Sequence, residues 1–170
     1  MGVEASDIGI QDFASGVRDL QDAISADGAS TAHFPNLAMN IDFSKEKGFE
    51  TGKDGEYIQN LDGKDMGYAV ALINNERIGL IGVTDPYLEK LVNIGKLTVQ
   101  PTDPADLEKL AKIIQEGIDK LKSEGINKIV LLARISGHDI NRDPLIIVSV
   151  DGDCIHLGRL VVTFGSDSHI

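Results

Sequence analysis

Tryptophan is absent from the 170-residue chain, and cysteine, histidine and the other aromatic residues are scarce: one Cys, four His, three Tyr and five Phe. Because Cys154 is alone, an internal disulfide is excluded. No segment approaches the about 20 consecutive apolar residues of a membrane-spanning helix, and residues 1–10 lack the basic stretch and apolar core of a secretory signal. The sequence therefore predicts a chain that neither crosses a membrane nor carries a visible export signal, and it leaves the compartment open.

Positive charge is also scarce. The chain has 16 Lys and Arg against 27 Asp and Glu, a formal net charge of −11. A surface of that sign repels nucleic acid and anionic lipid, so neither is an expected partner. The remaining composition, with 42% hydrophobic residues, suits one soluble globular domain over residues 1–170, long enough to fold without disulfides or metal.

The first part of the chain predicts a helix, a strand and a loop. Apolar residues at helical spacing predict one amphipathic helix over 10–26, which Gly28 ends. Residues 37–43 predict a strand. Residues 44–67 are rich in Lys, Glu, Asp and Gly and predict a long exposed loop.

A hairpin is predicted next. Residues 68–73 and 77–84 are apolar runs joined by Asn74, Asn75 and Glu76, and asparagine tolerates the left-handed conformation of tight turns. Two glycines, at 79 and 82, interrupt the second strand and indicate a close backbone approach or a bulge.

The second half predicts a βαβ unit. A helix over 104–124 begins after Asp103 as its N-cap and stops at Gly125. Residues 126–135 then contain a continuous apolar run typical of a strand covered on both faces. A strand, a helix and a strand in this order predict a parallel pair.

A second hairpin is predicted from residues 145–150 and 155–164, which flank an Asp-Gly-Asp turn. Together these elements predict an α/β fold, with a mixed sheet that contains one βαβ unit and two hairpins.

Five phrases follow one another along the chain: GIQDF at 9–13, NLAMNIDF at 36–43, ERIGLIGVT at 76–84, GINKIVLL at 125–132 and LGRLVVTF at 157–164. In this order they resemble the GNHEFDxG, pxlsaNldf, GxkIGiiGxT, xGvnkIIlLsH and GrlxvxFd segments of the 5′-nucleotidase family of calcineurin-like metallophosphoesterases. The resemblance implies that the sheet is part of a metallophosphoesterase-like α/β sandwich, with phosphate-ester hydrolysis as the ancestral chemistry.

The same resemblance implies a site with two metal ions, but the matching positions carry other residues. The metal-binding Asn falls on Ile10, the catalytic His on Gln11 and a metal-binding His on Arg134. Ile has no lone pair, the Gln amide does not titrate, and Arg is a permanent cation. The family's GHxH motif is matched only at 137–138, and its opening DxH and GD motifs fall before Met1. No catalytic residue is therefore assigned.

Candidate ligands for a rearranged metal site are His138, Asp139 and Asp12, with Mg, Mn, Zn or Ca as the divalent metal if the chain is active. Candidate anion-binding residues are Arg134, Arg142 and Lys128, predicted near one strand end. Three cations there are expected to attract the phosphate group of a small-molecule ester despite the negative net charge.

Three functions stay open on the sequence alone. The first is a shortened or degenerate relative of the 5′-nucleotidases, in which phosphate-ester hydrolysis is ancestral and present activity is doubtful. The second is an active metal-dependent phosphoesterase with the rearranged site. The third is a non-catalytic assembly module that pairs with a partner or a second copy through an open sheet edge. Family members are often exported or periplasmic.

Overall fold

A computed structural model describes residues 5–24, 34–49, 65–135, 154–157 and 160–163. Its principal sheet has the order β5-β6-β8, built from β5 (Tyr68–Ile73), β6 (Glu76–Thr84) and β8 (Lys128–Arg134). β5 and β6 are antiparallel, whereas β6 and β8 are parallel. The mixed α/β fold with a βαβ unit is confirmed. Within the described ranges, no helix is long and apolar enough to cross a membrane.

The predicted hairpin between β5 and β6 is confirmed. Ile73 pairs with Glu76, so Asn74 and Asn75 form a two-residue turn, with φ angles of +52° and +66°. Asparagine tolerates this left-handed region better than most residues, and such turns match the twist of the strands they join.

Helix α3 (Leu107–Ser123) covers one face of the principal sheet. Its buried stripe of Leu110, Ile114, Ile118 and Leu121 packs against apolar side chains of all three strands. After the helix, Gly125 adopts φ +75°, which turns the chain into β8 at little steric cost because glycine has no Cβ.

The predicted start of this helix is wrong by one turn. Residues 104–106 precede the helix, and the N-cap is Asp106, whose carboxylate accepts a hydrogen bond from the Lys109 amide at 2.9 Å. Asp103 instead accepts from the Ala105 amide at 3.1 Å and holds the preceding turn. Two aspartates three residues apart give the same N-cap signal, and the sequence does not distinguish them.

We expect Asp106→Ala to lower the free energy of unfolding by about 1 kcal/mol, because it leaves the Lys109 amide at the helix start without its acceptor. The matched control Asp103→Ala is expected to change it by about 0.5 kcal/mol or less. Urea denaturation followed by circular dichroism measures both values. Equal losses, or a larger loss for Asp103→Ala, would place the N-cap at residue 103.

The first predicted helix is interrupted. A 3-10 helix spans Ile10–Phe13 and α1 spans Val17–Ile24. Between them Gly16 adopts φ +101°, and a left-handed residue ends one helical segment before the next begins. Apolar spacing alone does not reveal this break, because Phe13 and Leu20 on the two sides are both buried in one cluster.

The strand predicted over 37–43 is two short strands joined by a turn. β2 (Asn36–Leu37) lies in a parallel sheet of order β1-β2-β4, with β1 (Ser6–Asp7) and β4 (Asp65–Met66). β3 (Ile41–Asp42) pairs antiparallel with β7 (Thr98–Val99). The short helix α2 (Leu88–Leu91) follows β6 and packs with β7.

The predicted exposed loop over 44–67 is structured at both ends. Near its start, Phe49 packs on Phe43 with ring centroids 5.2 Å apart, and Glu46 accepts a hydrogen bond from the Lys96 amide at 2.6 Å. At its other end lies β4. Residues 50–64 lie outside the described residues.

The last predicted strand, over 155–164, is two strands that pair with each other. β9 (Cys154–Leu157) and β10 (Leu160–Thr163) pair antiparallel with each other, so the strand predicted over 155–164 is divided into two. β10 also contacts α3. The other predicted strand, over 145–150, lies outside the described residues.

Candidate functional site

The carboxyl ends of several strands meet at one edge of the structure. Thr84 and Arg134 end the parallel strands β6 and β8 and are partners in register. The chain leaving β2 reaches β6 near its end, where the Met39 amide donates to the Gly82 carbonyl at 2.8 Å. β1 is parallel to β2 and contacts both β6 and β8. In sheets of this kind, sites form beyond the carboxyl ends of the strands, so this edge is the candidate site.

Gly82 lets the two sheets approach at this edge. A Cβ built on Gly82 would lie 2.1 Å from the Leu37 carbonyl oxygen, and one on Gly79 would lie 2.6 Å from a methyl carbon of Leu121. The two glycines therefore admit β2 on one face of β6 and α3 on the other. Of the two alternatives predicted from the sequence, a bulge or a close backbone approach, the latter is found at Gly82, whereas the close neighbour of Gly79 is a side chain.

Asn40 holds the end of β6 in place. Its amide nitrogen donates to the carbonyl oxygens of Thr84 and Gln100 at 3.0 and 2.9 Å, and its side-chain oxygen accepts from the Thr84 amide at 2.9 Å. Asn40 is 2% exposed. The ladder between β5 and β6 begins at the pair Tyr68 and Ile81, so β5 does not pair with Thr84. The Asn40 side chain bonds the backbone of Thr84 instead.

Two carboxylates lie near the edge, and each bonds the backbone. Asp85, which follows β6, is fully buried and accepts a hydrogen bond from the Tyr87 amide at 2.9 Å. Asp12 accepts from the Gly9 amide at 2.7 Å and so closes the start of the 3-10 helix after β1. This bond gives Asp12 a local structural role.

Known proteins resemble this chain in sequence and in fold. The 5′-nucleotidase of Bos taurus is 29% identical to the chain over 164 residues, which are 96% of this chain and 24% of that protein. The crystal structure of a 5′-nucleotidase precursor from Thermus thermophilus matches 78% of this chain and 21% of its own, at 26% identity and a TM-score of 0.55. The chain is similar to 5′-nucleotidases over most of its own length.

The chain spans about a quarter of the length of the curated relatives it matches. The structure of the NAD nucleotidase of Haemophilus influenzae, at 20% identity and a TM-score of 0.51, shares the fold. No family profile matches the sequence.

The residues at the strand ends do not fit the pair of metal ions that the resemblance implies. Ile10 and Gln11 follow β1, and Arg134 ends β8. An aliphatic side chain, a neutral amide and a fixed cation do not make a ligand set for a divalent metal. Within the part of the chain that the structure describes, no three His, Cys, Asp or Glu residues lie together as a metal site requires.

Lys128 and Arg134 were predicted to lie near one strand end, but they lie at opposite ends of β8. Lys128 begins β8 and Arg134 ends it, so about 20 Å of strand separates them. Lys128 is ion-paired with Glu76 at the far end of the sheet. An anion site at the carboxyl ends therefore does not include Lys128. His138, Asp139 and Arg142, the other predicted site residues, lie outside the described residues.

The carboxyl group of Asp42 has a lowered pKa. Its causes are hydrogen bonds from the Ser44 side chain and from the Ser44 amide, the latter at 2.9 Å. Asp42 lies on β3, where these bonds stabilise a local turn.

Sequence reasoning missed the roles of Asn40, Thr84 and Asp85. The sequence contains a weak signal for them, because each is a polar residue next to a mainly apolar segment. Their burial depends on the contact between the chain after β2 and the end of β6, which sequence spacing does not predict.

Proposed function

We propose that this 5′-nucleotidase relative has lost the two-metal hydrolysis of phosphate esters. The observation that carries the proposal is the Ile10-Gln11 pair at the start of the 3-10 helix that follows β1, at the positions where the resemblance implies a metal ligand and the catalytic histidine. Ile10 has no lone pair with which to bind a divalent cation, and the Gln11 amide does not transfer a proton at neutral pH.

Arg134 supports the same proposal from the neighbouring strand. A two-metal phosphoesterase stabilises the attacking and leaving oxygens with two cations about 4 Å apart. A guanidinium remains protonated at any pH at which proteins fold. It therefore repels a divalent cation and does not activate water as a nucleophile.

Hydrolysis of p-nitrophenyl phosphate and of AMP tests the proposal, with Mn²⁺, Mg²⁺ or Zn²⁺ added, together with metal analysis of protein never exposed to chelator. We expect no release of product above the buffer rate and no stoichiometric metal. Hydrolysis that EDTA abolishes would instead favour the active enzyme with a rearranged site. The variant Asp12→Asn, which keeps an acceptor for the Gly9 amide, would then lose activity if Asp12 is a ligand.

The assembly module has one observation in its favour. β5 is a terminal strand of the described sheet, and its Leu72 and Ile73 are 46% and 44% exposed. The preceding residues of β5, from Tyr68 to Ala71, are buried, so the exposed apolar edge is only two residues long. A solution mass of two or more chains, from light scattering, would favour this function, and a monomer mass would count against it.

A further inference from the structure

We propose that Met39 is a redox-sensitive modification site, at which oxidation of the thioether to the sulfoxide loosens the contact between α3 and the turn that joins β2 to β3. The oxidant class is a two-electron peroxide, with hydrogen peroxide as its simplest member. The inference goes beyond the proposed function, because it concerns the packing of α3 and is independent of whether phosphate esters are hydrolysed.

The first observation is the place of Met39 in the fold. It lies in the turn between β2 and β3, where its amide donates to the Gly82 carbonyl at 2.8 Å. The next residue, Asn40, bonds the backbone of Thr84. The Met39 side chain packs against the apolar cluster between α3 and the principal sheet. One side chain therefore lies where the turn, the end of β6 and α3 meet.

The second observation is the space that α3 leaves for the thioether. Gly117 is a buried residue in the interior of α3, where glycine is less favourable than alanine. A Cβ on Gly117 would lie 2.7 Å from the Met39 sulfur and 3.0 Å from its terminal methyl carbon. The thioether therefore occupies the space that a side chain at residue 117 would fill.

Oxidation is a balanced two-electron step. A sulfur lone pair attacks one peroxide oxygen, and the S–O bond forms as the O–O bond breaks. The proton on the transferred oxygen passes to the departing hydroxide, which leaves as water. The sulfur is thereby oxidised to the sulfoxide, and the peroxide is reduced. Met39 is only partly buried, which gives an oxidant little larger than water access to the folded chain.

The sulfoxide no longer suits the space beside Gly117. Its oxygen needs a hydrogen-bond donor or water, but the backbone amides in the interior of α3 already donate within the helix. The oxidised side chain is therefore expected to turn toward solvent and to leave a cavity against α3.

Treatment of the folded chain with hydrogen peroxide, followed by peptide mass mapping and thermal denaturation, tests the site. We expect a sulfoxide at residue 39 and a fall in the thermal midpoint of about 3 to 8 °C, as a cavity and a lost contact cause in a domain of this size. The two methionine sulfoxide reductases, one for each epimer, are expected to restore the midpoint.

Leucine variants provide the matched control, since leucine replaces methionine with little change in volume. Met39→Leu is expected to lose less than about 1 °C after the same treatment. Met66→Leu, which removes the methionine of β4, should show the same fall as the parent.

Gly117→Ala distinguishes the contact with α3 from general oxidative damage. The alanine methyl group takes the space of the thioether and turns Met39 toward solvent. We expect residue 39 to be oxidised about 2- to 5-fold faster, because susceptibility follows exposure. The fall in midpoint after oxidation should be at most about half that of the parent, because the methyl group fills the cavity.

The proposal is refuted if residue 39 of the folded parent stays unoxidised at a peroxide exposure that oxidises the urea-unfolded chain. It is also refuted if oxidation leaves the midpoint within about 1 °C, or if Met39→Leu loses as much as the parent. An equal fall in the parent and in Gly117→Ala would refute the contact with α3 as the cause. Hydrolysis of a phosphate ester would refute the proposed loss of activity and leave the Met39 site standing.

Discussion

Replacing Asn40 with alanine is expected to lower the free energy of unfolding by about 3 to 5 kcal/mol. The variant removes two buried hydrogen bonds and one partly buried one, and it leaves the Thr84 amide and the carbonyls of Thr84 and Gln100 without this partner. An unbonded buried polar group costs about 1 to 3 kcal/mol, and Asn40 lies too deep for water to replace the amide freely. Urea denaturation measures the change.

Asn93→Ala is the matched control for this variant. Asn93 is exposed, and its side chain accepts one hydrogen bond, from the Gly95 amide at 3.0 Å. Its removal is expected to cost about 1 kcal/mol or less. If Asn40→Ala were no more destabilising than Asn93→Ala, the view that Asn40 holds the end of β6 would be wrong.

Gly82→Ala is expected to cost at least about 4 kcal/mol or to prevent folding. The new methyl group would lie 2.1 Å from the Leu37 carbonyl oxygen and 2.3 Å from its carbonyl carbon. Both are backbone atoms, so relief requires β2 to move away from β6. That movement would also break the bond between the Met39 amide and the Gly82 carbonyl.

Gly117→Ala makes a similarly close contact with a flexible group. On α3, a Cβ at residue 117 would lie 2.7 Å from the Met39 sulfur, and a methionine side chain adapts by rotation. The better helix propensity of alanine offsets the strain by about 1 kcal/mol. We expect a net change within about 1 kcal/mol of the parent in urea denaturation. If Gly82→Ala and Gly117→Ala lowered the free energy of unfolding equally, the contact with backbone atoms at residue 82 would be no more costly than the contact with a flexible side chain at residue 117.

Sequence reasoning succeeded where a local signal and a tertiary contact agree. The Asn74-Asn75 turn, the stop at Gly125 and the buried run in β8 each follow from conformational preference or apolar pattern in a short window. The two β6 glycines were predicted to mark a close backbone approach or a bulge, since a strand tolerates glycine poorly without such a reason, and Gly82 does meet the backbone of Leu37.

Prediction failed where a contact distant in sequence decides the structure. Residues 37–43 contain enough apolar residues for one strand, but Asn40 bonds the end of β6, so the chain turns there. The helix over 10–26 has the correct spacing but breaks at Gly16, whose positive φ leaves no mark in apolar periodicity. Lys128 and Arg134 are close in sequence, but they lie at opposite ends of a seven-residue strand.

For the candidate site, the sequence identified Ile10, Gln11 and Arg134 as replacements of metal-binding or catalytic residues only through the resemblance to a family. The residue types alone would not have drawn attention to these positions. Their physical setting came from the fold, which places β1 against β6 and β8. Residue type alone does not show that Thr84 is buried, since threonine is ordinarily common on strand surfaces.

The position of β6 between β5 and β8 and under α3 has a consequence for exchange of amide protons with solvent. Its central residues, around Leu80 and Ile81, lie within the hydrogen-bond ladders to both neighbouring strands. Their amide protons are therefore expected to exchange with deuterium only when the principal sheet unfolds. The two-residue strands β3 and β7 have no such protection from neighbouring pairs and are expected to exchange through local opening. The slowest protons of the molecule should therefore report its global unfolding, and they should be found on β6.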